Sequence, residues 1–332
     1  MRAQRLFQPR PVEQEPLELE EVATPMPQAG EVLLRIRACG LCHTDLHIIE
    51  GELPLPRRPL TPGHQVVGIV ESTGAGVTRH AKGERVGVPW LYATCGNCPP
   101  CRKGRENLCD NGRFTGYHAD GGFAEYMVVP EDSAYALPDA YSDAAAAPLL
   151  CAGVIGYRAL RLSGVPKGGR LGLFGFGASA HIAIQIARHW DCRVYVSTRS
   201  RVHRELAEAL GAHWTGLPTE LPEGELESAV IFAPAGELVP AALRATEKGG
   251  TVALAGIHMS PIPSMPYALL YQERTLRSVA NSTHEDVREL ISVAAALAIH
   301  TEVETFSLED ANRALAKLKA SQIRGSGVLL VE

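Results

Sequence analysis

The chain has 332 residues, 45% of them hydrophobic and 21% charged, with a formal net charge of −5. That is enough chain for two domains with separate cores and the balance of an ordinary soluble globular protein. The mild acidity offers no footprint for nucleic acid or an anionic membrane.

Met1-Arg2-Ala3-Gln4-Arg5 lacks the apolar core of a signal peptide, and the longest apolar run, Ala144 to Tyr157, contains Pro148 and is too short to cross a bilayer. A cytoplasmic location is therefore expected, where the eight cysteines are ligands or free thiols before they are disulfides.

The first part of the chain reads as strands and turns. Glu31 to Cys39 sets Val32, Leu34, Ile36 and Ala38 against Arg35 and Arg37, the period of a half-buried strand. Directly after it comes Cys39-Gly40-Leu41-Cys42-His43-Thr44-Asp45-Leu46-His47, and Gly63-His64-Gln65 opens a further strand, Gln65 to Glu71. Arg85 to Trp90 and Phe123 to Val129 are two more, with Gly and Pro punctuating the intervals.

Between them lies C-G-N-C-P-P-C-R-K-G-R-E-N-L-C, with Cys95, Cys98, Cys101 and Cys109. Two-residue gaps let thiolates turn toward one tetrahedral ion, and four ligands close such a site, so the cluster predicts a structural zinc. Cys42, His64 and Cys151 form a second set. Two Cys and one His leave one tetrahedral position for water or substrate, the construction of a catalytic zinc site. Spacing alone does not assemble these three; the motifs around them carry the reading.

From about Lys167 strands and helices alternate. Arg170 to Phe174 is a buried strand, Ser179 to His189 a helix, Arg193 to Ser197 a strand, and Val202 to Leu210 a helix ending at Gly211. Ala229 to Ala233 and Thr251 to Ala255 are apolar strands with a helix, Leu238 to Thr246, between them. Such alternation implies right-handed βαβ units and a parallel sheet. Amphipathic helices follow at Asp286 to Ala298 and Leu308 to Ala320, then a last strand, Gly327 to Val331.

Gly175-Phe176-Gly177-Ala178-Ser179-Ala180 reads G-x-G-x-x-A between the first of these strands and its helix, which predicts a dinucleotide pyrophosphate at the helix N-terminus. The second strand ends in Val196-Ser197-Thr198-Arg199-Ser200-Arg201, with Arg204 one turn on and no acid for the ribose hydroxyls. Hydroxyls and guanidinium groups suit a 2′-phosphate, so NADP(H) is favoured over NAD(H), with Thr198, Arg199 and Arg204 as its ligands. Of Arg201 and Arg204, one is expected to be only a solvated helix face.

The stretches Cys42-His43-Thr44-Asp45-Leu46-His47, Gly63-His64, the four-cysteine lobe, Gly116-Tyr117-His118-Ala119-Asp120-Gly121-Gly122-Phe123 and Ala147-Pro148-Leu149-Leu150-Cys151-Ala152-Gly153 carry a resemblance. Over essentially its whole length the chain resembles the zinc-dependent medium-chain alcohol dehydrogenases, closest to their microbial, often tetrameric branch. The resemblance implies a GroES-like β-rich catalytic domain, residues 1–151 and 280–332, and an inserted Rossmann domain with a doubly wound parallel sheet, residues 152–279.

It also implies a homo-oligomer, one catalytic and one structural zinc per chain, and reversible hydride transfer between an alcohol and NAD(P). Thr44 and His47 match the family's proton relay, Asp45 the carboxylate that orients His64, and His43 and Arg324 positions that contact the cofactor. Leu53, Trp90 and Leu91 fall near the substrate channel, where an aliphatic Leu53 in place of the frequent tryptophan favours medium-chain or aromatic alcohols. Gln65 stands where the family usually has glutamate. The competing expectations are a zinc-free enoyl or quinone reductase of the same superfamily, and a non-catalytic nicotinamide-binding sensor. The intact ligand set and relay weigh against both.

Overall fold

Alternating apolar residues make strands, and the computed structural model, which describes residues 1–221 and 224–331, places most of them where the alternation is cleanest. The N-terminal part contains β1 (Arg2–Leu6), β2 (Leu17–Glu21), β3 (Glu31–Gly40), helix α1 (His43–Ile49), β4 (Val66–Thr73), β5 (Arg85–Val88) and β6 (Leu91–Ala93). It continues through α2 (Pro99–Arg102), β7 (Arg113–Phe114), β8 (Tyr126–Pro130), β9 (Tyr135–Ala136) and α3 (Asp143–Ala146).

The middle holds α4 (Ala152–Ser163), β10 (Arg170–Phe174), α5 (Ala178–His189), β11 (Arg193–Ser197), α6 (Arg201–Ala209), β12 (Trp214–Gly216), β13 (Leu226–Ile231), α7 (Leu238–Ala245), β14 (Thr246–Leu254) and β15 (Thr275–Ser278). Last come α8 (His284–Leu297), β16 (Val303–Ser307), α9 (Ala311–Lys319) and β17 (Ser326–Leu330). The chain divides into two compact units, one of Met1–Cys151, Asn281–Ala295 and His300–Glu332, the other of Ala152–Ala280 and Ala296–Ile299. Among the described residues no single helix is long and apolar enough to cross a membrane.

In the first unit the sheet runs β16-β17-β3-β4-β5-β9, with β8 also on β3. β3 is antiparallel to β4, β8 and β17. Val32, Leu34 and Ile36 are sealed in one core with Val66, Val70, Val86, Phe123 and Met127. Two register irregularities between β3 and β4, at Leu33/Leu34 and Ile36/Ala38, mark where the paired strands bend. The end of β3 is thereby fixed, and the chain leaves it at Leu41, whose N–H donates to Gly327 O (2.8 Å).

The second unit is a wholly parallel sheet, β12-β11-β10-β13-β14-β15. Counted along the chain, its strands stand in the order 3-2-1-4-5-6. The order reverses between β10 and β13, the crevice where sheets of this kind take ligands. Leu171, Leu173, Phe174, Val194, Val196, Val230 and Ile231 are fully buried, as a sheet covered on both faces requires.

Some boundaries shift for identifiable reasons. The strand expected over Arg85 to Trp90 stops at Val88 because Pro89 has no N–H to give. The one expected from Phe123 begins at Tyr126, since Gly121, Gly122 and Phe123 donate instead to Thr61 O, Gly63 O and Pro62 O (2.8, 3.0 and 3.0 Å). Helix α4, the β1–β2 ribbon, β12, β15 and β16 were not expected from the sequence. All but α4 are short strands, and α4 begins in small residues, Ala152 and Gly153, that carry little periodicity.

The three bonds from residues 121–123 brace the loop that holds His64. A Cβ on Gly121 would fall 2.0 Å from Gly63 O, a backbone atom with nowhere to go. Gly121→Ala should therefore cost about 1–3 kcal/mol, seen as a lower thermal midpoint, together with loss of metal from the His64 site. An unchanged midpoint with unchanged metal content would show that the brace is not needed.

Candidate active site

Cys42 sits at the N-cap of α1 with extended backbone (φ −138°, ψ 159°). Its N–H donates to Asp45 Oδ2 (2.9 Å), while Asp45 Oδ1 accepts from His64 Nδ1 (3.0 Å). One carboxylate thus ties the start of the helix to the loop bearing the histidine. Asp45 and His64 are both fully buried. A carboxylate accepts only, so Nδ1 of His64 carries a proton, and Nε2 is the nitrogen turned to the site, able to give its lone pair to an ion once its own proton is displaced.

The loop geometry depends on Gly63, at φ +98°, where a Cβ would meet the Phe123 ring at 2.4 Å and Cys39 Sγ at 2.9 Å. Cys151 follows a short 3₁₀ turn, Ala147–Leu150, and precedes α4.

The ligand atoms of Cys42, His64 and Cys151 all lie within 4.8 Å of one another. His64 Nε2 is buried without a hydrogen-bond partner, an orphan that a metal ion would satisfy. Two sulfurs and an imidazole nitrogen are a zinc donor set with one tetrahedral position left over. Beside it Trp90 meets the His64 ring edge-on, centroids 4.8 Å apart, and stacks on Phe114 at 5.0 Å and Tyr117 at 6.1 Å. Trp90 was singled out in the sequence; Phe114 and Tyr117, the aromatic residues on either side of Gly116, join it in one stack.

The second cluster is also assembled. Cys98 Sγ and Cys101 Sγ are 3.4 Å apart, Cys95 Sγ and Cys109 Sγ 3.5 Å, and all four are free thiols. The N–H groups of Cys95 and Cys98 point at Cys109 Sγ and Cys95 Sγ (3.4 Å each). Backbone N–H groups draw the Cys95 thiol down to about 6, and burial with neighbouring thiols pushes Cys101 up to about 12. Four sulfurs at these separations fit one zinc with no open position.

The remaining predicted residues are distributed as follows. Thr44 is buried, its Oγ1 3.6 Å from Cys42 Sγ, and His47 lies one turn further along α1. His47 Nδ1 faces Glu52 Oε2 at 2.6 Å, a partner the sequence did not suggest. His43 is the exposed first residue of α1. Gln65 is buried, and a Cβ on Gly40 would meet its Cδ at 2.9 Å, so Gly40 makes room for it. Leu53 is partly buried against the core of the first unit.

In the second unit Gly175 has φ +87°, and a Cβ there would strike Ala233 N at 2.8 Å. Gly177 is the N-cap of α5, with open space where a side chain would go, and Ala180 is buried. Thr198 is buried at the end of β11, Arg199 is exposed and Arg204 half-buried. Arg201 is held by Glu205 (2.8 Å), as expected of a solvated face. In the first unit Arg324 pairs with Glu302 (3.4 Å).

The electrostatics of the three-residue set give a measurable consequence. Burial lowers the His64 pKa, but Asp45 and Cys42 outweigh it and hold the imidazole up to about 10. The hydrogen bond between the two thiols lowers Cys42 and raises Cys151. In the metal-free protein at neutral pH, His64 and Cys151 therefore carry protons.

Both pKa values lie above neutrality, so an ion must displace both protons, and affinity rises with pH toward them. Zinc titrated into the metal-free protein should release at least about two protons per ion at this site. The measure is calorimetry in buffers of different ionisation enthalpy, taken as the difference from a His64→Ala variant. No buffer dependence in that difference would contradict the assignment.

With this geometry in view, two family models match. Residues 28–139 match the alcohol dehydrogenase GroES-like domain and residues 178–296 the zinc-binding dehydrogenase domain. The probable alcohol dehydrogenase AdhA of Mycobacterium tuberculosis is 45% identical over 337 positions, covering 100% of this chain and 97% of the relative. Among solved structures, acetophenone reductase from Geotrichum candidum in complex with NAD superposes with a TM-score of 0.90 at 26% identity, covering 99% of this chain and 96% of that one. A zinc-binding dehydrogenase target from Sinorhizobium meliloti 1021 bound to NADP does so with a TM-score of 0.90 at 28% identity, covering 99% and 98%. Matched along its full length by such a relative, the chain belongs to the zinc-dependent medium-chain alcohol dehydrogenase family.

Proposed function

We propose that this protein is a zinc-dependent alcohol dehydrogenase and aldehyde reductase, interconverting medium-chain or aromatic primary alcohols and their aldehydes with NADP(H) in preference to NAD(H). The observation that carries the reading is the buried set Cys42, His64 and Cys151, its donor atoms within 4.8 Å and His64 Nε2 lacking any hydrogen-bond partner. When bound, zinc supplies Lewis acidity toward an alcohol or carbonyl oxygen, and the nicotinamide accepts or gives hydride.

The chain's own residues do the rest. Cys42, His64 and Cys151 hold the catalytic ion and Asp45 fixes the His64 tautomer. Thr44 and His47, three residues apart on α1 and so on one face, pass the hydroxyl proton toward solvent. Cys95, Cys98, Cys101 and Cys109 hold a second, structural zinc. The Trp90–Phe114–Tyr117 stack beside His64 supports an aromatic or extended substrate.

In the 152–279 domain, Gly175, Gly177 and the α5 N-terminus receive the pyrophosphate, Ala180 lets the helix pack close, and Thr198, Arg199 and Arg204 receive the 2′-phosphate. His43, and more weakly Arg324, are cofactor contacts contributed by the catalytic domain, residues 1–151 and 280–332. A homo-oligomer, dimer or tetramer, is supported by β15, an edge strand with three of its four residues exposed, and by exposed Tyr267 and Tyr271 just before it.

The test is reduction of NADP⁺ and NAD⁺ with ethanol, hexanol and benzyl alcohol, before and after zinc removal. Turnover should favour NADP⁺ and the larger alcohols, vanish on chelation and return with zinc, with two zinc ions per chain by metal analysis. Replacing Arg199 and Arg204 together by alanine should raise KM for NADP⁺ at least about tenfold, the scale of a lost charge-assisted bond, and leave NAD⁺ kinetics nearly unchanged. Equal loss with both cofactors would reject the 2′-phosphate assignment, and silence with every alcohol in the zinc-loaded protein would reject the enzyme.

A further inference from the structure

Beyond the ligands and the relay, one side chain stands in a position that neither the motifs nor the family match assigns. His47 Nδ1 and Glu52 Oε2 are 2.6 Å apart. The contact is built by the turn that follows α1. Glu50 N donates to Leu46 O (2.8 Å), Gly51 N to Ile48 O (3.2 Å), and Leu53 N reaches back to His47 O (3.1 Å). Gly51 takes φ +83°, and a Cβ there would press on Pro9 Cβ at 2.9 Å. Glu50 is itself pinned, accepting from Val12 N (2.9 Å) and Lys319 Nζ (2.8 Å). The chain is thus folded back so that Glu52 returns over the imidazole of the preceding turn.

We infer that Glu52 is a positioning residue for proton transfer. This rests on the proposed relay through His47. A carboxylate only accepts, so Nδ1 must donate, and the neutral ring carries its lone pair on Nε2. That nitrogen takes the proton given up by the substrate hydroxyl. The resulting imidazolium keeps its Nδ1–H on Glu52, and one proton then passes to water, which restores the neutral ring. Glu52 is 43% exposed and the His47 side chain 14%, so the pair bridges the protein and solvent. In the reverse direction the same proton is taken from water and delivered from Nε2.

A rival role is a surface ion pair that contributes only to stability, and such pairs are worth little. The two roles separate cleanly. In the zinc-loaded enzyme with benzyl alcohol, Glu52→Ala should lower kcat roughly tenfold, at the lower end for a group that orients another, with KM for alcohol and cofactor within about twofold. The solvent deuterium isotope effect on kcat should rise, the thermal midpoint should stay put, and Glu52→Asp should recover most of the rate.

His47→Gln should also be slow, and adding Glu52→Ala to it should cost nothing more, because Glu52 acts only through His47. A wild-type rate in Glu52→Ala beside a slow His47→Gln overturns this inference alone, as does a further loss in the double variant. A wild-type rate in His47→Gln removes the relay and this inference together.

Discussion

The site depends on one buried carboxylate. Asp45 accepts from the Cys42 N–H with one oxygen and from His64 Nδ1 with the other, and nothing of it reaches solvent. An ionised carboxylate so placed is costly unless its lone pairs are met and a cation stands near. Both bonds go to residues whose other ends face the metal position. The same charge that fixes their geometry therefore also favours the ion they would bind. Two ligands twenty-two residues apart in sequence, Cys42 and His64, are held in register by this one side chain.

Much of what surrounds Asp45 is the scaffolding needed to bring those residues to it. The pairing of β3 with three neighbours fixes where the chain enters α1. The backbone bonds from Gly121, Gly122 and Phe123 fix the 61–64 loop, and Gly63 is forced because Phe123 and Cys39 already occupy the space a side chain would need. The motif Gly116 to Phe123 thus has a mechanical reading. Gly116 and Gly121 are present because two backbones touch, and the contact carries His64.

The sequence was most legible where local chemistry is decisive. Four cysteines at ligand spacing, a glycine turn between strand and helix, and apolar strands of the parallel sheet all appear where they were expected. It was less legible where partners come from afar. No periodicity announces β1, which is bridged through Ala3 to Ala124 and through Leu6 to Leu60, nor β15, whose residues are mostly exposed.

Within the site, Cys42, His64 and Cys151 were readable as a set through their flanking motifs. The return of Glu52 onto His47 was not, since it follows from a turn pinned by Pro9, Val12 and Lys319, residues with no chemical mark of their own. The role of Arg201 illustrates the converse. The sequence assigned Arg204 to the cofactor and left one of Arg201 and Arg204 to solvent, and it is Arg201 that pairs with Glu205.

The two thiolate-bearing clusters differ in a way that charge makes plain. At the closed cluster four cysteines would share one ion, leaving no position open for chemistry. At the open one, two thiolates and a neutral imidazole would just balance a divalent cation, and Asp45 adds one further negative charge through the imidazole. A carboxylate in place of Gln65 would add a second, buried directly after the ligand histidine. Gln65 keeps the volume that Gly40 accommodates while leaving that charge out. An ion held there would retain more of its positive field for an incoming oxygen, which is where a Lewis acid acts. Electrophilicity in this site would therefore depend on the carboxylate that position 65 lacks as well as on the three ligands.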